Sequence, residues 1–307
     1  MSQKVAVIGS INIDNKLRVY DFPKPGETIF AADRSQALGG KGANQAIAVL
    51  RAGGQAQMVG AVGSDGELAL EMLTAEGLSV DNVQHVNHVK TGEATVVTSE
   101  SGENTIILHR GANFELDTGK IETFLSKIDE SYIILLQNEI SRADANLVIT
   151  LGKEAGATIV WNAAPAPKQQ QDLLQGIDVL IVNETELTSV AELLDTGGND
   201  YREMARKVGA RLQCAVIATL GPEGAISVVD GLVEEWRAFP AASVDSTAAG
   251  DTFVGYLVTT MKSDFQRAIT RGMAAGSIAV ATVGAASSIP HTLDVDKLVT
   301  NRSREDS

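Results

Sequence analysis

The chain has 307 residues, of which 44% are hydrophobic, so it is long enough to bury a large core in one or two domains. Its 39 acidic and 25 basic residues give a formal net charge of −14, and no basic run could follow a nucleic-acid backbone or an anionic membrane. We therefore expect no nucleic-acid or membrane partner. Because no leader-like segment precedes the first predicted strand and no apolar run is long enough to span a bilayer, we expect a cytoplasmic protein, and because Cys214 is its one cysteine, we expect no intrachain disulfide.

Short apolar runs rich in β-branched residues recur along the chain and predict buried parallel strands. They cover residues 5–8, 57–62, 132–136, 158–161, 179–182 and 215–219. Segments with helical spacing lie between them, and three of these end before a glycine, which is a helix stop signal: 43–51, 67–76 and 201–208. The alternation predicts an α/β fold with a doubly wound, mostly parallel sheet that is flanked by helices and binds ligands at the carboxyl ends of its strands.

Two regions, residues 14–38 and 92–111, interrupt this alternation with short strands and turns. In the second, two apolar segments flank Ser-Gly-Glu-Asn at 101–104, which predicts a hairpin. The two regions could form a small β-sheet lid that closes over a site and excludes water, or they could be surface decoration. We treat residues 1–307 as one domain that carries this lid.

Two polar segments come early in the chain. Asn12 and Asp14 follow the first predicted strand, and in an extended chain their side chains point to the same side, which suits the hydroxyls of a polyol. An Asx turn explains the same residues and is favoured on this segment alone. The glycine-rich segment 38–46 matches neither a Walker loop nor a dinucleotide fingerprint. Its glycines either let a ligand approach the backbone beside Lys41 and Asn44 or form a tight turn.

Polar residues also follow three later strands. Glu139 puts a carboxylate near one strand end, and Asn183 and Glu186 follow another. This pair could hold a hydrated Mg²⁺ beside phosphates, or it could cap a helix. The glycine-rich turn that begins at Thr219 suits a nucleotide or a simple hairpin.

Small residues separate two carboxylates in segment 245–253, just before a helix predicted over 252–261. Ala248, Ala249 and Gly250 leave backbone N–H groups uncovered at the helix start, where these donors and the helix dipole form a site for an anion. Asp251 lies in the first turn and can accept a proton from an alcohol. The segment therefore predicts phosphoryl transfer to a hydroxyl, although a plain helix cap would explain Asp251 alone.

The order of these motifs resembles the ribokinase-like carbohydrate kinase family over nearly the whole chain. The matching segments are Gly-Ser-Ile-Asn-x-Asp at 9–14, Gly-Gly-Lys-Gly-Ala-Asn-Gln-Ala at 39–46, Asn-Glu-Thr-Glu at 183–186, Thr-Leu-Gly at 219–221 and Asp-x-x-Ala-Ala-Gly-Asp-Thr-Phe at 245–253. The resemblance implies ATP-dependent transfer of a phosphoryl group to the 5-hydroxyl of D-ribose, or to another small sugar such as deoxyribose or fructose. It also implies a homodimer joined through the lid sheets.

The resemblance further implies a role for each matching residue. Asp251 would be the base, with an anion hole formed by Ala248, Ala249, Gly250 and Asp251. The sugar would be bound by Asn12, Asp14, Gly40, Lys41, Asn44, Glu139 and Asp251. ATP and Mg²⁺ would be bound by Asn183, Glu186, Thr219, Gly221 and Gly224. A monovalent cation of the K⁺ type would be bound by Asp245, Thr247, Ala279, Thr282, Gly284 and Ser288.

Three positions depart from the family pattern. Met273 falls where relatives often carry Asn or His near the adenine, so the preferred nucleotide stays open. Arg110 in a loop near the lid, and the sequence Asn-Ala-Ala-Pro ending at Pro165, are expected to lie away from the chemistry but could alter sugar choice.

Two other classes of function compete with a sugar kinase. A non-catalytic sugar or nucleotide sensor on the same fold would not need Asp251, which the chain retains. A dinucleotide-dependent oxidoreductase would need a glycine fingerprint that the sequence lacks.

Overall fold

The computed structural model describes residues 2–305. Its strands in chain order are β1 Lys4–Ile8, β2 Asn12–Arg18, β3 Asp33–Gly39, β4 Gln55–Gly63, β5 Val83–Val86, β6 Gly92–Thr98, β7 Asn104–His109, β8 Tyr132–Leu136, β9 Thr158–Asn162, β10 Val179–Asn183, β11 Ala215–Thr219, β12 Ala225–Val229 and β13 Leu232–Trp236. Its helices are α1 Lys41–Arg51, α2 Glu67–Ala75, α3 Thr118–Leu125, α4 Arg142–Glu154, α5 Glu184–Leu193, α6 Tyr201–Leu212, α7 Ala249–Thr260, α8 Phe265–Val280 and α9 Thr292–Glu305.

The main sheet has the strand order β13-β12-β11-β10-β9-β8-β1-β4-β5, and it is parallel from β11 to β5. Alternate residues of each strand enter two cores on opposite faces, because successive side chains of a strand point to opposite sides. In β1, Ala6 and Ile8 enter the core under α3–α6, whereas Val5 and Val7 enter the core under α1, α2, α7 and α8. The predicted doubly wound α/β fold is confirmed.

The glycine stop signals hold for two of the three predicted helix ends. Gly53 and Gly77 have φ angles of +93° and +86°, a conformation that ends a helix and favours glycine. The prediction that α6 ends before Gly209 is wrong, because the helix continues to Leu212. A Cβ on Gly209 would lie 3.1 Å from the Cys214 carbonyl oxygen, so the absence of a side chain at Gly209 allows α6 to pack closely against the segment at Cys214.

A second, smaller sheet has the order β3-β2-β6-β7 and stands apart from the main one, as the lid prediction requires. β6 and β7 form the predicted hairpin, and β2 pairs in parallel with β6. Asn12 and Asp14 lie in β2, so the Asx turn is not formed and their side chains share one face of the strand.

The carboxyl ends of the parallel strands are level with one another. Ile8 lies beside Leu136, Leu136 beside Trp161, and Asn183 beside Thr219. The residues that follow these ends therefore meet at one edge of the main sheet, at the place where the chain crosses from β1 to β2. None of the helices within residues 2–305 combines the length and the apolar composition needed to cross a bilayer.

Candidate active site

The site is built around the N-terminus of α1, which begins at Lys41, two residues earlier than predicted. Gly40 precedes it with a φ of +90°, and a Cβ there would lie 2.8 Å from both the Ser10 carbonyl oxygen and the Asn12 nitrogen. Only glycine fits this crossing. The buried Ser10 holds the helix start by accepting hydrogen bonds from Ala43 N–H on its carbonyl oxygen, 2.9 Å, and from Gly42 N–H on its hydroxyl, 3.3 Å.

Asp251 lies in the first turn of α7, which begins at Ala249 and not at the predicted residue 252. Its carboxylate is buried and receives one N–H donor on each oxygen. Asn44 Nδ2 donates to Oδ2 over 3.0 Å, and Gln45 Nε2 donates to Oδ1 over 2.9 Å. The two amide donors therefore fix the orientation of this carboxylate at both of its oxygens.

Asn12, Asp14 and Glu139 surround the same helix start. Asn113 orients Asn12 by donating from Nδ2 to Asn12 Oδ1 over 2.8 Å, while its own Oδ1 accepts the Ile11 N–H. Glu139 Oε2 accepts hydrogen bonds from the Ser10 hydroxyl and, at 3.1 Å, from Lys41 N–H. The predicted sugar residues are therefore brought together: Asn12, Asp14, Gly40, Lys41, Asn44, Glu139 and Asp251.

The charges of these groups act on one another. Burial raises the pKa of Asp14 to about 6, Lys16 acts to lower it, and Glu139 and Asp251 raise it further. For the half-buried Lys41, burial acts to lower the pKa, but the carboxylates of Asp251, Glu139 and Glu186 outweigh burial and raise it. Lys41 is therefore a firmly charged cation among these carboxylates.

The start of α7 has the uncapped helix N-terminus that the predicted anion site requires, with one difference. Ala248 has a left-handed backbone, with a φ of +59°, and no side chain among residues 2–305 caps the helix. Ala249 N–H donates to the Ser246 carbonyl oxygen over 3.2 Å, so this donor, which we expected to be free, is satisfied within the protein. Gly250 is exposed, and a Cβ on it would meet no atom within 4 Å. There is therefore space for a ligand beside this turn.

A cavity of about 200 Å³ connects this turn to the ends of β10 and β11. Predicted residues that line it are Lys41, Asn183, Glu186, Thr219, Ala248, Gly250 and Asp251. Asn183 and Glu186 form a reciprocal capping box at the start of α5, with distances of 2.8 and 2.9 Å, so the predicted helix cap is present. Burial raises the pKa of Glu186, while the Asn183 N–H and Lys41 act to lower it.

The two glycines after β11 lie outside that lining. Gly221 begins a short turn between the antiparallel strands β11 and β12, so the simple hairpin that we considered is formed. A Cβ on Gly224 would lie 1.8 Å from the Trp236 carbonyl oxygen. The close approach of β13 is thus sufficient to explain why position 224 is a glycine.

The predicted cation-site residues fall into two groups. Asp245 Oδ1 accepts Thr247 N–H and Oδ2 accepts Gly284 N–H, each at 2.9 Å, which joins the loop before α7 to the loop after α8. Burial acts to raise the pKa of Asp245, but hydrogen bonds from the Thr247 side chain and from the Gly284 and Thr247 N–H groups, together with the charge of Lys16, outweigh burial and lower the pKa. The other residues, Ala279, Thr282 and Ser288, lie in the neighbouring segment, where the Ala279 carbonyl oxygen accepts Thr282 N–H and the buried Ser288 hydroxyl donates to the Ala285 carbonyl oxygen.

Sequence patterns left several functional contacts unassigned. Gln45 and Ser10 lie in the segments 39–46 and 9–14, but the sequence predicted no role for either residue. Nothing in the sequence indicated a role for Lys16 except its spacing of two residues from Asp14. The segment that begins at Asn162 was expected to lie away from the chemistry, which is wrong, because Gln45 Nε2 donates to Asn162 Oδ1 over 2.9 Å and Ala164 lines the cavity. Arg110 is exposed and lies over the Phe114 ring.

Comparison with known proteins adds an independent finding. Residues 2–292 match the model of the pfkB family of carbohydrate kinases. The ribokinase of Haemophilus influenzae is 34% identical over 297 residues, which are 94% of this chain and 96% of the relative. A crystal structure of ribokinase from Thermotoga maritima superposes with a TM-score of 0.89 at 31% identity, over 97% of this chain and 100% of that one. Ribokinase from Arabidopsis thaliana in complex with ribose and ATP gives a TM-score of 0.85 at 30% identity, over 97% and 99% of the two chains.

Proposed function

This chain belongs to the pfkB family of carbohydrate kinases, and on that premise we propose that it transfers the γ-phosphoryl group of ATP to the 5-hydroxyl of D-ribose. The observation that carries the proposal is the position of the Asp251 carboxylate. It lies at the start of α7 and on the cavity that Lys41 and Glu186 also line, and it is hydrogen-bonded to Asn44. A base, a set of hydroxyl ligands and an anion site are thus adjacent.

In the proposed reaction, the 5-hydroxyl oxygen forms a bond to the γ-phosphorus as the bond from that phosphorus to the β,γ-bridging oxygen breaks. The hydroxyl proton passes to Asp251, and ADP leaves. Backbone N–H groups at the start of α7 stabilise the charge on the transferred group, in a donor set that Ala248, Gly250 and Asp251 are proposed to supply, since Ala249 N–H already donates to the Ser246 carbonyl oxygen. The buried Asn44 Oδ1, which has no partner within residues 2–305, is available to a sugar hydroxyl.

The nucleotide and its metal are proposed to lie beside the ends of β10 and β11. Glu186 uses Oε2 in its capping box, and Oε1, which accepts no hydrogen bond within residues 2–305, could accept one from a water of Mg²⁺. Asn183, Thr219, Gly221 and Gly224 would complete the nucleotide site. When bound, Mg²⁺ would neutralise charge on the phosphates.

A monovalent cation such as K⁺ is proposed to bind near the anion site. The chemistry of the donors fits, because the proposed ligands offer only carboxylate, carbonyl and hydroxyl oxygens, and such a cation prefers oxygen. They are Asp245, Thr247, Ala279, Thr282, Gly284 and Ser288. When bound, the cation would fix the loop before α7.

The small sheet is proposed to act as a lid and to join two copies of the chain. Every residue of β7 is exposed, and Ile106, Ile107 and Leu108 are 52%, 64% and 50% exposed. Three consecutive exposed apolar residues on a strand are characteristic of an interaction surface. A second copy with the same sheet is the proposed partner.

A coupled assay of ADP release, with purified protein, Mg²⁺ and a panel of sugars, tests this function. We expect ribose to give the highest kcat/KM and K⁺ to increase the rate. The Asp251→Asn variant should keep less than about 1% of the wild-type kcat, because general-base catalysis contributes roughly 10²- to 10⁴-fold. A higher residual kcat would refute the base assignment, and sugar binding without ADP release would indicate a sensor instead.

A further inference from the structure

Three buried amide side chains form a hydrogen-bonded chain beside Asp251. Gln45 and Gln137 are 0% and 1% exposed, and Asn162 is 7% exposed. They come from α1, from the residue after β8 and from the last residue of β9. Three buried amides, which need hydrogen-bond partners inside the protein, are therefore concentrated at this one place.

The hydrogen bonds among them have a fixed direction. Asn162 Nδ2 donates to the Ile181 carbonyl oxygen over 3.1 Å, and because that carbonyl can only accept, Asn162 must present Oδ1 to Gln45. Gln137 Nε2 donates to Gln45 Oε1 over 2.7 Å, so the Gln45 oxygen is also committed. Gln45 is left with its NH₂ group toward Asn162 and Asp251. A reversed Gln45 amide would put its oxygen against the Asp251 carboxylate.

We propose that Gln45, oriented by Gln137 and Asn162, is a positioning residue that holds the Asp251 carboxylate in the rotation needed to receive the sugar proton. The proposal rests on the function proposed above for Asp251. Gln45 donates to Oδ1 and Asn44 to Oδ2, so the plane of the carboxylate is fixed at both oxygens. Asn44 borders the proposed sugar site, whereas Gln45 is fully buried and acts only through Asp251.

Gln137, the second of the three amides, supports an orienting role, because one of its polar atoms is left unpaired. Gln137 Oε1 is buried and has no hydrogen-bond partner within residues 2–305, which is unfavourable for the folded state. A Cβ on Gly9, the residue after β1, would lie 1.9 Å from this oxygen, so the absence of a side chain at Gly9 leaves room for Gln137. A leucine or methionine here would avoid the unpaired oxygen but could not donate to Gln45.

The test compares Gln45→Met, Gln137→Met and the double variant in the ADP-release assay. We expect Gln45→Met to lower kcat roughly 10- to 100-fold with KM for ribose and for ATP within about threefold, because misplacing a catalytic group costs rate without removing substrate contacts. Gln137→Met should lower kcat several-fold. The double variant should be no slower than Gln45→Met alone, since Gln137 acts through Gln45.

Gln84→Met is the matched control. Gln84 is also buried, accepts Asp117 N–H through Oε1 over 2.7 Å and does not line the cavity, so its loss should lower the melting temperature and leave kcat unchanged. A kcat for Gln45→Met within twofold of wild type, or effects of Gln45 and Gln137 that multiply, would overturn the positioning role. If Gln45→Met does not fold, an unchanged kcat in Gln137→Met overturns it. An inactive wild type, or an active Asp251→Asn, would instead overturn the proposed function and this role with it.

Discussion

Replacing Asp14 by Asn should make the ligand-free protein more stable at pH 8 while removing its sugar affinity. Burial, with Glu139 and Asp251 nearby, raises the pKa of Asp14 from 3.8 to about 6, although Lys16 acts to lower it. Above pH 6 the folded protein must therefore hold an ionised carboxylate in a place that disfavours it. Asn has nearly the same shape and carries no charge.

The magnitude follows from the two pKa values. At about 1.4 kcal/mol for each pKa unit, ionised Asp14 costs the folded state about 3 kcal/mol at pH 8. Because the folded pKa is the higher one, the folded protein binds more protons between pH 3.8 and 6. The relative stability that this proton provides is complete below pH 3.8 and is lost as the pH rises through 6. The advantage of the variant should therefore shrink to about 1 kcal/mol at pH 4.5.

Guanidinium unfolding of both proteins at pH 8 and pH 4.5, without sugar, measures this difference. Adding ribose should stabilise the wild type only, since Asp14 is a proposed sugar ligand. A variant that is no more stable than wild type at pH 8, or one whose advantage is equal at both pH values, would refute the reasoning.

Asp65 provides a control of opposite sign. Burial acts to raise its pKa, but hydrogen bonds from the Thr91 N–H and hydroxyl outweigh burial and lower it. The stability from such a group is present at neutral pH and is lost as the pH falls through its folded pKa. Asp65→Asn should therefore be less stable than wild type at pH 8, with a difference that narrows in acid.

Three further predictions test other parts of the site. Gly250→Val should fold normally, because a Cβ at position 250 meets no atom within 4 Å. The valine should nevertheless lower kcat at least about 100-fold, because it fills the space proposed for the transferred group. A kcat near the wild-type value would contradict this prediction. Glu139→Gln should raise KM for ribose roughly 10- to 100-fold, since a charged acceptor is lost beside Lys41, and an unchanged KM would remove Glu139 from the sugar site. Replacing Ile106 and Leu108 together by Glu should convert a dimer to a monomer in analytical ultracentrifugation, and a dimer that persists would place the interface elsewhere.

Local patterns in the sequence were sufficient for the architecture. Runs such as Ile133 to Leu136 are apolar on both faces, which only a strand covered on both sides can use, and polar residues follow them at the sheet edge. A parallel sheet then requires those residues to meet, so the grouping of Asn12 and Glu139 could be predicted. The left-handed turns at Gly53 and Gly77 were also predictable locally, because a glycine after a segment with helical spacing is a helix stop signal.

Other features depended on neighbours that the local sequence does not show. As a glycine, Gly209 has the local signature of a helix stop, but in the structure it allows α6 to pack closely against the segment at Cys214. Ala249 N–H has the position of a free donor, but the fold of the preceding loop brings the Ser246 carbonyl oxygen to it. In both cases a contact made after folding decides what the residue does.

The sequence alone therefore determined the fold class and the edge of the sheet that carries the candidate site, and it was sufficient to propose Asp251 as the base. Only the tertiary structure decided what surrounds that base. Gln45 and Asp251 are 206 positions apart, and the amides of Gln137 and Asn162 that orient Gln45 come from two further strands. Periodicity reports which face of an element is buried, but the partner of a buried amide is fixed only when separate elements pack together.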